Sequence, residues 1–347
     1  MSAKPTILVI GSPTGLVADE AWANFTTNFN VESYHFPTND AFHESLRSGS
    51  CKNVDGIVRL GLNLPEGCEK VLIGWTHRGL AHFPPSLKVI VNFGHGYNDE
   101  AVDELHEKGI AFFNTTGGSQ STAAVGIYLI VAAFRNLSRY ERMLRQDQFL
   151  PALRDSARNA VDPFGKSLGI IGMGSIGETI ARQAATLGMK IHCIDRPSLR
   201  SRLESEGSSV TGLPLIVLHD SLLGLARVVD CILLSCPYSV TTHHLLCREV
   251  FAEMKNGVRI INIARGLCVD EEALCDAIEE GIVGGAGLDV HHDEPKVNPR
   301  LLGYDCVTLL PHVGGLTNDS MKNHAELALR HIVNYFFVES TGSDSVV

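Results

Sequence analysis

Between Gly172 and His312 stand five short stretches whose residue types and order could do chemistry. GMGSIG (172–177) is a glycine turn, Asp195 closes KIHCID, Arg265 lies in NIARG, Glu294 in DEP and His312 in PHVGG. The first two suit a dinucleotide. Gly172 permits a tight turn, Gly174 lets the backbone approach a pyrophosphate, and Gly177 lets the next helix press on the strand. Free N–H groups at Ser175 and Ile176, together with the positive end of the helix dipole, favour phosphate. Asp195, eighteen residues beyond Gly177, is placed to accept hydrogen bonds from ribose hydroxyls and would repel a 2′-phosphate. Arg196 beside it could instead pair with that phosphate. NAD is the expected cofactor, with NADP left open by Arg196.

The last three residues suit the reacting centre of a 2-oxo or 2-hydroxy acid. Arg265 follows the apolar run VRIINIA, and its guanidinium can hold a carboxylate and the adjacent carbonyl with two parallel hydrogen bonds. His312 follows CVTLLP and can give a proton to a carbonyl oxygen as hydride reaches the carbon. Glu294 can accept a hydrogen bond from the other ring nitrogen and stabilise the imidazolium. Each also has a plain reading: Arg265 as a surface arginine at a strand end, His312 as one of 15 histidines. His243–His244 and His291–His292 are adjacent pairs without a third ligand, so no metal site is expected. Cys236, beside Pro237, reads as a small packed residue rather than a nucleophile.

These residues need a sheet to place them. Apolar, β-rich runs alternate with helical patterns, as in parallel α/β architecture. One series is TILVIG, VESYHF, DGIVRL, LKVIVN and IAFFN; a second is SLGIIG, KIHCID, VVDCILLS, VRIINI, GGAGLDV and CVTLLP. The runs are apolar at successive positions, as in strands covered on both faces. Ser119 to Gln146 reads as one long helix with a basic face (Arg135, Arg139, Arg142, Arg145), either solvated or an arm across a subunit interface. RDSARNAVDPFGK after it reads as a surface connection, and a last helix runs from about Leu316 to Phe337. The expected architecture is α/β, with two doubly wound parallel-sheet domains: a Rossmann-type cofactor domain over 119–315, and a flavodoxin-like substrate domain from 1–118 and 316–347. Ligands are expected in the cleft between them.

Length and composition agree with such an enzyme: 347 residues, 44% hydrophobic and 20% charged. A net charge of -10 disfavours nucleic acid, whose binding needs clustered Lys and Arg. No apolar run is long enough to span a bilayer. Nine cysteines without a CxxC and no signal-peptide pattern point to reduced thiols and a cytoplasmic setting.

GMGSIG, NIARG, GLDVHHDEP and LLPHVGG, with SCPYSVTTHHLL and LKVIVNFGHGYN, resemble the D-isomer-specific 2-hydroxyacid dehydrogenases. The similarity runs over nearly the whole chain. PYSVTTHH and LDVHHDEP are most similar to fungal D-mandelate dehydrogenases. The resemblance implies that Arg265 binds the substrate carboxylate, Glu294 partners the histidine, and His312 is the acid/base. It implies cofactor contacts at Ser175, Ile176, Cys236, Pro237, Thr242, Ile263, Ala264, Gly314 and Gly315, with Asp289 on the nicotinamide carboxamide. His95 and Gly96 of FGHG match a loop whose backbone amides grip the substrate carboxylate, and a homodimer is implied. Two departures stand out: His95 is bulkier than the residue usual there, which bears on substrate size, and Ala124 stands where many relatives have an acid. The implied activity is NAD-dependent reduction of a bulky 2-oxo acid such as phenylglyoxylate. Glyoxylate or hydroxypyruvate reduction is the alternative, and a nicotinamide-sensing, corepressor-like binding protein a rival of another class.

Overall fold

The computed structural model describes residues 4–34, 36, 38–49, 51–60, 82–96, 101–197, 199–201 and 213–338. The chain divides into two compact units, Met1–Gly118 with Leu316–Val347, and Ser119–Gly315.

The first unit holds a five-stranded sheet of β1 (Thr6–Ile10), β2 (Asn30–Ser33), β3 (Gly56–Arg59), β4 (Val89–Val91) and β5 (Ala111–Phe113). Its order is β2-β1-β3-β4-β5 and every pairing is parallel. Side chains alternate across a strand, and the apolar runs feed two cores accordingly. Leu8, Ile10, Ile57 and Ile90 pack on one face; Ile7, Val9, Val58, Val89 and Val91 pack on the other. The second face is closed by Ala325, Ala328, Leu329 and Ile332 of the final helix, Asn318–Phe337. Each buried Val, Leu or Ile side chain among them contributes about 1.5–3 kcal/mol.

The second unit holds β6 (Ser167–Ile171), β7 (Lys190–Ile194), β8 (Ile216–His219), β9 (Cys231–Leu234), β10 (Val258–Asn262), β11 (Val283–Leu288) and β12 (Val307–Leu309). The order β12-β11-β10-β9-β6-β7-β8 is again all parallel. The chain winds outward from β6 to β8, then returns to β9 on the other side of β6. That reversal leaves a crevice at the carboxyl ends of β6 and β9, where ligands bind in open α/β sheets.

Two expected elements differ. The helix expected over 119–146 is two helices, Ser119–Arg135 and Leu137–Arg145, bent by 73°. Asn136 takes the left-handed backbone (φ 54°) at the break, a conformation that asparagine tolerates better than most residues. The basic row is paired within the unit: Arg135 with Asp162 at 3.2 Å, Arg139 with Asp155 at 3.3 Å, Arg142 with the Asp305 carbonyl at 3.0 Å, and Arg145 with Glu141. The expected surface connection begins in helix, because Phe149–Asn159 is helical. Asp155 there is held by Arg139 and by the Tyr140 hydroxyl at 3.1 Å, anchoring the segment to the helix before it. Strand β8 was not among the expected runs; it is a half-exposed edge strand.

Candidate active site

The second unit brings its candidate residues to one edge of one sheet. Parallel register sets Asn262, Leu288 and Leu309 side by side at the ends of β10, β11 and β12, with Leu234 and Ile171 following along the row. Arg265 lies just past Asn262, Asp289 follows Leu288, and His312 lies just past Leu309. Cys236 comes after β9, Gly172 after β6 and Asp195 after β7. Every one therefore leaves a strand at its carboxyl end.

His312 and Glu294 form a pair, with Nδ1 2.8 Å from Oε2. The other carboxylate oxygen accepts the His291 N–H at 2.9 Å, which fixes the group's orientation. Burial works against the Glu294 carboxylate. Hydrogen bonds from His312 and the His291 amide outweigh it and hold the group below the usual carboxylate range. With Nδ1 turned to Glu294, Nε2 is the nitrogen left to exchange a proton with a ligand, and the His312 side chain is 47% exposed. His312 carries φ 55°, uncommon for a residue with a Cβ. Asp289 stabilises that turn: its carbonyl accepts the His312 N–H at 2.7 Å, and its carboxylate accepts those of Val313 and Gly314 at 2.8 Å. Burial raises the Asp289 pKa, partly offset by those two amides.

Arg265 is held by a residue that sequence reading missed. Asn262 is 1% exposed; its Oδ1 accepts the Ala264 N–H at 3.0 Å and its Nδ2 donates to the Arg265 carbonyl at 2.9 Å. Its own carbonyl accepts the Asp289 N–H at 2.9 Å, so one asparagine ties the arginine turn to the aspartate of the histidine turn. A polar residue closing the apolar pair Ile260–Ile261 was the available signal. Gly266 completes the link, since a Cβ there would lie 1.9 Å from the His291 carbonyl carbon. Only glycine lets the arginine segment sit against the backbone that carries Glu294. Glu271 was also missed; it accepts the His292 N–H at 2.8 Å and steadies the same loop.

The glycine turn fits a dinucleotide. Gly172 has φ 105°, and a Cβ on it would meet the Cys236 nitrogen at 2.5 Å; one on Gly177 would lie 2.1 Å from the Gly172 carbonyl oxygen. Gly174 differs: a Cβ there meets nothing within 4 Å. It borders open space at the start of the helix Ser175–Thr186, which has no side-chain cap. Uncapped N–H groups facing open space, with no Cβ in the way, are what a pyrophosphate requires. Asp195 is paired with Arg200 through both carboxylate oxygens, an ion pair that sequence reading missed; Arg196 is exposed. Thr242 donates to the Pro237 carbonyl at 3.0 Å and so folds the loop after β9. A hydrogen bond with Cys268, then burial, raise the Cys236 thiol far above its ordinary range, which keeps it un-ionised. Ile263 and Ala264 are buried beneath the Arg265 turn. A Cβ on Gly314 would meet Asp289 Oδ2 at 2.7 Å, while one on Gly315 would have room, 3.6 Å from Thr122 Oγ1.

His95 and Gly96 belong to the first unit, in a loop after β4. Asn114 Nδ2 donates to the His95 carbonyl at 2.9 Å, and Thr115 Oγ1 accepts the Gly94 N–H at 2.9 Å.

A family profile described as D-isomer specific 2-hydroxyacid dehydrogenase, NAD binding domain, matches residues 127–314. The chain belongs to the D-isomer-specific 2-hydroxyacid dehydrogenases. It is 32% identical to the 4-methyl-2-oxopentanoate reductase A of Aspergillus oryzae over 94% of both chains. The holo D-mandelate dehydrogenase of Rhodotorula graminis superposes with a TM-score of 0.87 at 34% identity, covering 96% of this chain and 94% of that one. An NADPH-dependent glyoxylate/hydroxypyruvate reductase from Sinorhizobium meliloti, in complex with NADP and malonate, superposes at 0.74 with 27% identity over 97% and 95%. This 2-hydroxyacid dehydrogenase is thus an oxidoreductase with an NAD-binding domain, and its relatives act on acids of different size.

Proposed function

We propose that this 2-hydroxyacid dehydrogenase reduces bulky 2-oxo acids, of the size of phenylglyoxylate or 4-methyl-2-oxopentanoate, to the D-2-hydroxy acids. The observation that carries the chemistry is the His312–Glu294 pair at 2.8 Å, joined through Asp289 and Asn262 to Arg265. In this reading the Arg265 guanidinium holds the carboxylate and carbonyl of the acid, which orients the carbonyl carbon. His312 Nε2 gives its proton to the carbonyl oxygen in reduction and takes it back in oxidation. Glu294 holds the ring by Nδ1 and supports its charged form. A bound nicotinamide dinucleotide supplies or accepts the hydride. Its pyrophosphate is assigned to Gly174, Ser175 and Ile176, its ribose to Asp195, and its carboxamide to Asp289.

The bulky-substrate choice is supported by two of the relatives above. The His95–Gly96 loop is assigned to the substrate carboxylate. NAD is favoured by the Asp195 carboxylate, which would repel a 2′-phosphate, while Arg196 and Arg200 beside it leave NADP a second cofactor. A homodimer is supported by the exposed row Phe149, Leu150 and Leu153 on the helix Phe149–Asn159, an apolar face of the kind that marks protein contacts.

The test follows NADH and NADPH absorbance with phenylglyoxylate, 4-methyl-2-oxopentanoate, hydroxypyruvate and glyoxylate, and then chiral analysis of the product. A higher kcat/KM for the two large acids with NADH is expected. Preference for glyoxylate would overturn the substrate choice. NADH binding without turnover of any acid would favour a nicotinamide-sensing binding protein.

A further inference from the structure

The first unit contains a buried histidine that takes no part in the chemistry above. His324, on the helix Asn318–Phe337, is 3% exposed, and its Nδ1 lies 2.7 Å from the hydroxyl of Thr115, itself fully buried. We propose that His324 and Thr115 are positioning residues, fixing the Phe93–Gly96 loop in the form that takes the substrate carboxylate. This rests on the assignment of that loop to the carboxylate.

The hydrogen-bond directions follow from one proton. Thr115 Oγ1 already accepts the Gly94 N–H. If it also accepted a proton from the ring, its own proton would be buried without an acceptor among the described residues, at a cost of about 1–3 kcal/mol. The hydroxyl therefore donates to Nδ1, and His324 is neutral with its proton on Nε2. Burial, and then the neighbouring His95, hold the ring's pKa down to about 4, so this arrangement persists through the neutral range.

Three successive loop residues refer to the same imidazole. The Phe93 ring lies 4.6 Å from it, Gly94 is tied to it through Thr115, and the His95 ring sits edge-on at 6.0 Å. Gly94 has φ 98°, a backbone form that a side chain would strain. Gly117 lets the Thr115 segment approach the helix, because a Cβ there would lie 2.6 Å from the His324 nitrogen. Asn114 completes the frame. It holds the His95 carbonyl, and in a planar trans peptide the Gly96 N–H must point the opposite way. The loop's donor direction is thus set by Asn114 on one side and the Thr115–His324 pair on the other. A histidine that only filled the core would not explain why the hydroxyl it anchors serves this loop's backbone.

The experiment pairs Thr115→Val, which keeps the shape and removes the hydroxyl, with Thr115→Ser, which restores it. In the valine variant KM for phenylglyoxylate should rise roughly ten-fold, the weight of about one hydrogen bond, while kcat changes much less. NADH affinity, read by fluorescence, should be unchanged because the residues assigned to NADH belong to the other unit. Serine should recover most of the loss. In the wild-type protein, ¹⁵N NMR of the His324 ring should show an unprotonated Nδ1 at neutral pH. A wild-type KM in the valine variant, or a proton on Nδ1, would overturn the inference, and the NMR result holds even if the variant fails to fold. A wild-type enzyme that reduces no 2-oxo acid would instead overturn the substrate reading itself.

Discussion

Asn262→Leu isolates the brace behind Arg265. Leucine has the branching and heavy-atom count of asparagine, so the end of β10 stays filled while both side-chain hydrogen bonds disappear. The Ala264 N–H is left without its acceptor in a buried position, since Ala264 is 5% exposed, whereas the Arg265 carbonyl still accepts the Cys268 N–H at 3.1 Å. One orphaned buried group costs about 1–3 kcal/mol. In a unit of this size that corresponds to a fall in Tm on the order of 2–12 °C if the whole unit bears it. If the turn relaxes instead, the melt moves less and Arg265 is displaced, and misplacement by about 1 Å costs on the order of 100-fold in rate. Melting followed by circular dichroism, with steady-state kinetics on phenylglyoxylate, separates the two. Asn262→Asp retains the acceptor for Ala264 and loses only the donor, so it should fall between. An Asn262→Leu enzyme with wild-type melting and wild-type kcat/KM would show that the turn needs no brace, and the link from Asn262 to Arg265 would have no functional meaning.

Arg265→Lys should raise KM for the oxo acid and lower kcat/KM by roughly 100-fold, because an ammonium cannot reproduce a bidentate grip worth about 3 kcal/mol; unchanged kinetics would rule out the clamp. Glu294→Gln keeps a hydrogen-bond acceptor but removes a charge. The native carboxyl is held below its usual range and so is ionised at neutral pH, where it favours the protonated imidazole that reduction requires. Its loss should move the reduction profile to lower pH, because the proton donor loses its stabilising charge; an unmoved profile would refute the pairing. Asp195→Ala removes the acceptor assigned to the ribose and releases Arg200 from its ion pair. NADH affinity should fall more than NADPH affinity by fluorescence titration, and the reverse order would sink the choice of NAD.

Much of the fold was legible because both sheets are covered on both faces. After a polar first residue, runs such as TILVI and SLGII are apolar at successive positions, and their alternate residues feed separate cores. Strand β8 was not among the expected runs although Ile216, Val217 and Leu218 are apolar; it lies at the sheet edge and its residues are only partly buried or exposed. The break at Asn136 escaped for another reason. A change of backbone region at one residue leaves no periodic trace, and the paired arginines beyond it read the same on a straight helix or a bent one.

The site divides along the same line. Glycines, a carboxylate, a guanidinium and an imidazole announce chemistry by type. The residues that aim them do not, because Asn262 and Asp289 act only where parallel register sets the ends of β10 and β11 beside each other. In sequence they are twenty-seven positions apart; across the sheet edge one hydrogen bond of 2.9 Å joins them. That contact, rather than proximity along the chain, ties the Arg265 turn to the His312 turn. It also explains why a substitution at Asn262, which touches no proton or hydride, is expected to rival one at Arg265 in its effect on turnover.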